Sequence, residues 1–488
     1  MGSEMCIRDS ICTPLCSNCT LIRHEIIRPF LFSARRGSHE AGCRRSMVDG
    51  VSDNPAIPMH LTTVDAQQWP NIASVPMGRF MGWRARRAEA AFAGACARAR
   101  LELDPDNEPD LVVDHAELFD RIAANGWIGL AEGYMAGEWR TETPDALVHV
   151  VSKLLEVGFN PKTTLGHEAR FSGGEVPPEL VAKFSGDGMS AFAGHFATGV
   201  PTMERVSVPS HSPSAGRGKE PKNYFVSETN YSAPLETEKL DLADAQARSV
   251  GMLLDAAVVR PGTHLAEVPS SGGAVAIAAA GRRATVDSIV TDPAVVRTLR
   301  ERLTLGGAED AVHLNVVEGL PRGMDRRKAR YDAVVSAEHL ETMPTRVQAH
   351  YFALIDGLLA HSGRAALQTV VATGKMTPAA QSALESLRAY IWPTLNYQTV
   401  DRIRKTVDSR SGLRVVAQTH APDHLELSLK HQRTVFQSQL REAAADGFDA
   451  VYRRLWMWQL ALREAMAHAG MLDMVQLTLT HRHRRGVR

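Results

Sequence analysis

The sequence predicts an α/β protein: a doubly wound, Rossmann-like sheet with a helical lid insertion, plus a smaller N-terminal helical domain. Three observations predict it. From residue 240 on, short apolar runs alternate with segments of helical period, the pattern of parallel strands joined by crossover helices. The strand 263–268 ends in an acid, Glu267, and opens through Pro269-Ser270-Ser271-Gly272-Gly273 into the helix-like run Ala274–Ala280. That strand–turn–helix opening is how such a sheet offers backbone N–H groups to a nucleotide-like ligand. Before residue 165 the pattern is helical throughout.

The elements follow in chain order. The opening Met1–Ser10 resembles translated cloning-adaptor sequence, so residues 1–46 are set aside as a non-native or disordered leader, with Met47 or Met59 as the start. Five of the six cysteines lie in that leader. Cys12, Cys16 and Cys19 lack a fourth ligand at finger spacing, so no metal is assigned. With only Cys96 downstream, the body has no disulfide framework and fits a cytoplasmic protein, peripheral to the inner face of a membrane if it works on lipid. Residues 59–165 read as the helical domain. Its first helix, about 76–101, mixes Trp83 and Phe92 with six arginines, which suits either an anionic membrane surface or a solvated helix face. Residues 166–232, rich in Gly, Ser and Pro, read as a linker. Residues 233–482 form the α/β domain: strands at 263–268, 284–290, 311–316, 331–336 and 363–371, with helices between them. A helical excursion, about 376–408, is the lid, ahead of a strand at 413–417 and an apolar stretch at Leu425–Leu429. A helix at about 447–469 and a final strand, Val475–Thr480, close the domain.

Composition narrows the function classes. A chain of 488 residues exceeds one core, and 44% hydrophobic with 23% charged residues is ordinary for a globular protein. The formal net charge is zero, so no global field selects nucleic acid. No apolar run reaches the ~18 residues of a spanning helix.

Several motifs in order resemble the cyclopropane-fatty-acyl-phospholipid synthase family of S-adenosylmethionine (SAM)-dependent lipid methyltransferases. They are Gly129-Leu-Ala-Glu-Gly-Tyr-Met-Ala-Gly-Glu-Trp139, Tyr331-Asp-Ala-Val-Val-Ser-Ala-Glu338, Leu367-Gln-Thr369, Ala389-Tyr-Ile-Trp-Pro393, and Gly447-Phe-Asp449 leading to Arg454-Leu-Trp456. The resemblance spans roughly residues 75–480. It implies a Rossmann-like methyltransferase fold and methyl(ene) transfer from SAM to a cis double bond of a phospholipid acyl chain, with bound bicarbonate as base. It also implies phospholipid acyl chains or a membrane surface as partners. A homo-oligomer is compatible with it.

The resemblance places site residues one by one. Glu267, Gly272 and Gly273 match the cofactor loop Glu-x-Gly-x-Gly-x-Gly, in which Pro269 and Ser271 replace the first two glycines. Tyr231 and Ser232 match a tyrosine–serine element, and Ser336 lies in the strand that follows the cofactor strands. The upstream Tyr-Asp-x-Gly-Asn-x-Phe-Tyr block of the family is missing or shrunken. Glu341 matches the glutamate that fixes bicarbonate, Gln368 a His/Gln position beside it, and His424 the residue before a site tyrosine that is Leu425 here. A late cysteine of the family is Arg463, which needs a partner such as Glu464 or Glu341 if buried. The altered loop leaves two readings open: an active lipid methyltransferase, or a catalytically silent paralogue that binds lipid or a partner protein. The loop changes weaken SAM binding in either case.

Overall fold

The computed structural model describes residues 58–104, 106–161, 176–196, 198–237, 241–319 and 330–482, all within one compact unit, Ala56–Arg488. The leader and its cysteines lie outside them.

The chain begins with α1 (Met81–Ala99), a two-residue strand β1 (Val112–Val113), α2 (Glu117–Asn125) and α3 (Trp127–Ala136). Strand β2 (Trp139–Arg140) pairs with β1, then α4 (Pro144–Glu156) and α5 (Pro178–Phe184) follow. Next come β3 (Pro201–Pro209), β4 (Asn223–Tyr231) and α6 (Leu242–Ala256). The α/β succession is β5 (His264–Glu267), α7 (Ala274–Gly281), β6 (Thr285–Val290), α8 (Val296–Leu305), β7 (Val312–Val316), β8 (Tyr331–Ala337), α9 (Thr345–Leu358) and β9 (Leu359–Ala372). It ends with α10 (Pro378–Tyr390), α11 (Val400–Arg410), β10 (Leu413–His420), α12 (Pro422–Ser438), α13 (Leu440–Ala445), α14 (Ala450–His468) and β11 (Leu472–His481).

One sheet of nine strands runs β3-β4-β10-β11-β9-β8-β5-β6-β7. The five strands from β9 to β7 are mutually parallel, and β11 inserts antiparallel between β9 and β10. Apolar side chains cover both faces: α9 and α11 pack on one, α6, α7 and α8 on the other. Two-sided burial is why β8 carries the apolar run Ala333–Val335. The expected α/β class is therefore the observed one.

The expected linker is not one. Residues 178–184 form α5, and β3 with β4 form a hairpin that joins the sheet through β4, parallel to β10. The Gly/Ser/Pro-rich composition belongs to the connection at 210–222, while Val206, Val208, Tyr224 and Val226 supply the hairpin's apolar contacts. β3 is an exposed edge with a proline at each end, which blunted its strand signal.

The helical N-terminal region is not a separate core either. One continuous apolar cluster runs from Leu61 through α1–α5 into α10, α12 and α14. The family-like motifs meet in it. An added Cβ on Gly129 would lie 2.0 Å from the Arg121 carbonyl oxygen, so α2 and α3 cross at a distance only glycine allows. Trp139 Nε1 donates to the Leu130 carbonyl at 2.9 Å, and Trp139 packs edge-on to Trp458 of α14. The Tyr390 hydroxyl of α10 donates to Glu132 at 2.6 Å. Asp449 caps α14 through the Tyr452 N–H and accepts from Trp69 Nε1 at 2.7 Å. The insertion 376–408 is thus not a free lid: α10 is sandwiched against α3 and α14, and α11 lies against α9 and β10. The stretch Leu425–Leu429 is part of α12, with both leucines in the shared core.

Candidate active site

A cavity of about 280 Å³ opens at the carboxyl ends of β5 and β8. Ligands of doubly wound sheets bind there, because the crossovers leave a crevice at that edge. Its floor is the turn Ser270-Ser271-Gly272 after β5 and the turn Glu338-His339 after β8. One wall is α8, through Leu299 and Arg302; another is the segment 189–192. Val181, Ile391, Trp392 and Leu395 make an apolar side, and Glu341 with Arg463 adds charge.

The glycine turn is built as the fold requires. Gly272 and Gly273 have φ of +85° and +104°, which side chains other than glycine's rarely tolerate. The Gly272 Cα faces the Met189 carbonyl so closely that an added Cβ would lie 2.6 Å from it. Arg302 ties both strands of this crossing, donating to the Gly272 carbonyl at 3.0 Å and the Gly188 carbonyl at 2.8 Å. Ser271 does not fill the cavity with its hydroxyl. It turns toward Glu267 and donates at 2.5 Å, while its N–H donates to the same oxygen at 3.0 Å. Ser288 donates to the other Glu267 oxygen at 2.6 Å. Glu267 is wholly buried, and burial raises its carboxyl above the usual range despite these donors. It acts as a brace of the loop and does not line the cavity. The loss of a loop glycine at Ser271 therefore costs the cavity less than its sequence implies.

The inner end holds the titratable groups. Glu338 has φ +50°, a left-handed conformation that costs a non-glycine residue about 1–2 kcal/mol. That conformation is held by its N–H donating to the Gln368 carbonyl at 2.8 Å. One Glu338 carboxylate oxygen accepts from the Ala193 N–H at 2.7 Å and from Gln368 Nε2 at 3.0 Å. The other lies 3.9 Å from Arg463 Nη2. Glu341 accepts from the Thr369 hydroxyl at 2.6 Å. Burial, reinforced by the neighbouring Glu338 charge, pushes the Glu341 carboxyl up to about 7. Burial pulls the His339 imidazole down to about 4, so it is neutral in the physiological range. Burial alone would lower Arg463, but Tyr397, Glu338 and Glu341 hold it above its ordinary value. Its guanidinium also sits 5.9 Å from the Trp392 ring. Among the described residues, the Ser270 hydroxyl and Arg463 Nε are buried without hydrogen-bond partners.

The expected site residues separate in space. Glu341 lines the cavity, as does Gly272. Gly273 sits beneath the turn against Leu299. Ser336 is buried in β8 beside Tyr351, whose hydroxyl donates to the Val268 carbonyl at 2.7 Å. Gln368 does not reach the cavity: both ends of its amide are spent, on Glu338, the Ala193 carbonyl and Gln476. It positions Glu338. His424 is also outside. It accepts from the Phe196 N–H at 2.9 Å, lies 3.1 Å from the Ser232 carbonyl and stacks on His195. Tyr231 packs edge-on to His195, and Ser232 accepts from the Val200 N–H, so this tyrosine–serine element anchors the hairpin instead of lining the cavity. Arg463 pairs with Glu338, not with Glu464, which is held by Arg433 at 2.6 Å.

Sequence reading missed the segment 185–196, Glu338, His339 and Arg302. The segment stands where the family's upstream block was sought. Asp187 accepts from the Met189 and Ser190 N–H groups, and Gln246 bonds Gly186, Ser190 and Phe192. Glu338 closed a quoted motif and was the one legible signal.

The chain is 27% identical over 446 residues to the tuberculostearic acid methyltransferase UfaA1 of Mycobacterium tuberculosis, covering 85% of this chain and 96% of that one. Among solved structures, the cyclopropane synthase MmaA2 from Mycobacterium tuberculosis is 19% identical with a TM-score of 0.44, over 51% of this chain and 88% of that one. Coclaurine N-methyltransferase is 10% identical with a TM-score of 0.49, over 72% and 99%. The profile described as mycolic acid cyclopropane synthetase matches residues 224–477, more than half of the sequence, and the chain belongs to that family of methyltransferases.

Proposed function

We propose that this chain transfers a one-carbon unit from SAM to an unsaturated fatty acyl chain. The observation that carries the proposal is the cavity at the β5/β8 ends. There two buried carboxylates share one guanidinium beside a glycine turn, and an apolar side faces them. The relative named for tuberculostearic acid supports a fatty acyl substrate. The residues fit a sulfonium cofactor. With Glu338 and Glu341 ionised against Arg463 alone, the inner end carries a net negative charge, and the orphaned Ser270 hydroxyl offers a hydrogen-bonding group. Gly272, Ser270 and His339 would hold the cofactor; when bound, it supplies an electrophilic methyl group. Val181, Ile391, Trp392 and Leu395 exclude water and accept an acyl chain. Glu341, poised at about 7, is the group that can accept a proton there.

Bicarbonate does not fit. Gln368 is spent on Glu338, and a second carboxylate stands beside Glu341, so an added anion would meet the charge of both. No step is assigned to it.

The test compares SAM with its neutral thioether product, S-adenosylhomocysteine, by calorimetry. Glu341 ionises in the folded protein only as pH passes about 7. SAM affinity should therefore rise by about tenfold between pH 6 and pH 8, roughly the worth of one favourable charge contact, with the thioether nearly flat. In Glu341→Gln that rise should vanish, and turnover on an unsaturated acyl substrate should fall by about a hundredfold. A folded protein that binds neither ligand would support the silent-paralogue reading and end this one.

Membrane contact belongs to the same proposal. Met77, Phe80 and Trp83 are exposed at the start of α1, and Arg79, Arg84, Arg86 and Arg87 surround them in sequence. No helix among the described residues can span a membrane. An aromatic tip with basic neighbours suits the surface of an anionic bilayer. Phe80→Ala with Trp83→Ala should cut co-sedimentation with anionic vesicles at least severalfold; unchanged sedimentation would remove this role from α1.

A further inference from the structure

Outside the cavity lining, three metal-ligating side chains converge where the segment leading to α1 meets the start of α2. His60 comes from a short helical turn at Met59–Leu61, His115 from the approach to α2, and Glu117 from its first turn. One nitrogen of each imidazole and one Glu117 oxygen lie within 4.8 Å of one another. All three residues are half-buried, open enough for an ion to enter. The imidazoles stack with centroids 3.8 Å apart and planes 12° apart. An imidazole ligates along its ring plane, so one ring turns out of this stack when both lone pairs meet an ion at about 2.0–2.1 Å.

A second observation is independent of the cluster. Glu138 lies 3.5 Å from Nε2 of His60. Its carboxylate is itself fixed by Arg121 at 2.8 and 2.9 Å. A carboxylate behind an imidazole is the outer partner that sets the tautomer of a metal-bound histidine and leaves the other nitrogen's lone pair free.

We infer that His60, His115 and Glu117 form a site for a divalent transition ion of the zinc class, with a fourth position left to water. Two imidazoles and one carboxylate select zinc-like ions over magnesium or calcium, which prefer all-oxygen shells. The ion would pin residues 58–62 onto α2 and brace the buried Arg121–Glu138 pair. None of the three lines the β5/β8 cavity, so the role is structural. His60 and His115 are far apart in sequence and follow no ligand spacing, so no local pattern marks them.

The test uses the full chain, stripped with a chelator and titrated with Zn²⁺ and Co²⁺. The expected result is one site of micromolar or tighter affinity, a rise in Tm, and a Co²⁺ visible spectrum without thiolate charge-transfer bands. That last feature separates it from the cysteines of the leader. His115→Ala and His60→Ala should each weaken this site about tenfold or more. Each should keep the metal-free Tm of the parent, because both side chains are partly solvent-exposed. Binding that is absent, that carries thiolate bands, or that persists unchanged in both variants would overturn the assignment.

Discussion

Replacing Arg463 with alanine should destabilise the protein by about 3–5 kcal/mol near pH 8, because it leaves two buried carboxylates without the cation that faces them among the described residues. The cost should depend on pH in a defined direction. Glu338 and Glu341 are both raised by burial, so each loses folded-state stability as pH climbs from the ordinary carboxylate value of 4.5 toward the raised value, about 7 for Glu341. Without Arg463 both would move higher still. At pH 5 they would then be largely protonated, and the variant should approach the parent. Urea denaturation at pH 5 and pH 8 measures the difference. Equal destabilisation at both would show that Arg463 acts through packing on Trp392, not through charge. Arg463→Cys, which restores the residue type of the wider family, should behave like the alanine variant, since a thiol supplies no compensating charge. Adding Glu338→Gln and Glu341→Gln to Arg463→Ala should recover part of the loss.

Arg121→Ala should cost a similar amount, about 3–5 kcal/mol, in the helical region. Arg121 has no solvent exposure, forks onto both oxygens of Glu138 and donates to the carbonyls of Asn71 and Ile72 at 2.8 Å each. Its removal strands a carboxylate and two carbonyls at once. Burial already raises Glu138 to about 7 with Arg121 in place. The loss should therefore be largest above pH 7 and shrink toward pH 5. Arg121→Lys should still lose much of the stability, because an ammonium cannot hold the fork and both carbonyls together. Arg121→Met with Glu138→Met should be far milder than Arg121→Ala, since no charge is then left unpaired. A thermal melt of the three variants decides it. A double variant as unstable as Arg121→Ala would mean the helices need the ion pair itself.

The corrections share a cause. Ser271 looked damaging as a letter, yet its hydroxyl turns back to Glu267, a rotamer choice that only the surrounding packing sets. Gln368 and His424 were placed at the site by motif position. Both lie one layer out, because hydrogen-bond partners from remote segments, Ala193, Gln476 and Phe196, claimed their polar atoms. Arg463 found Glu338 because the β8 turn points that carboxylate toward α14, an orientation that no spacing encodes.

Periodicity and composition by themselves determined the α/β class, nearly every strand from β5 to β9 and the glycine turn, while the family resemblance placed Glu341 in the cavity. Those features are local: apolar runs buried on both faces and positive-φ turns leave their mark in a few consecutive residues. Only the tertiary structure decided that the Gly129–Trp139 motif is helix-crossing machinery, that β3 and β4 extend the sheet, and which carboxylates share Arg463. Those outcomes depend on which distant backbone and side-chain groups meet in a low-dielectric interior, where an unpaired charge or polar group is too costly to leave alone.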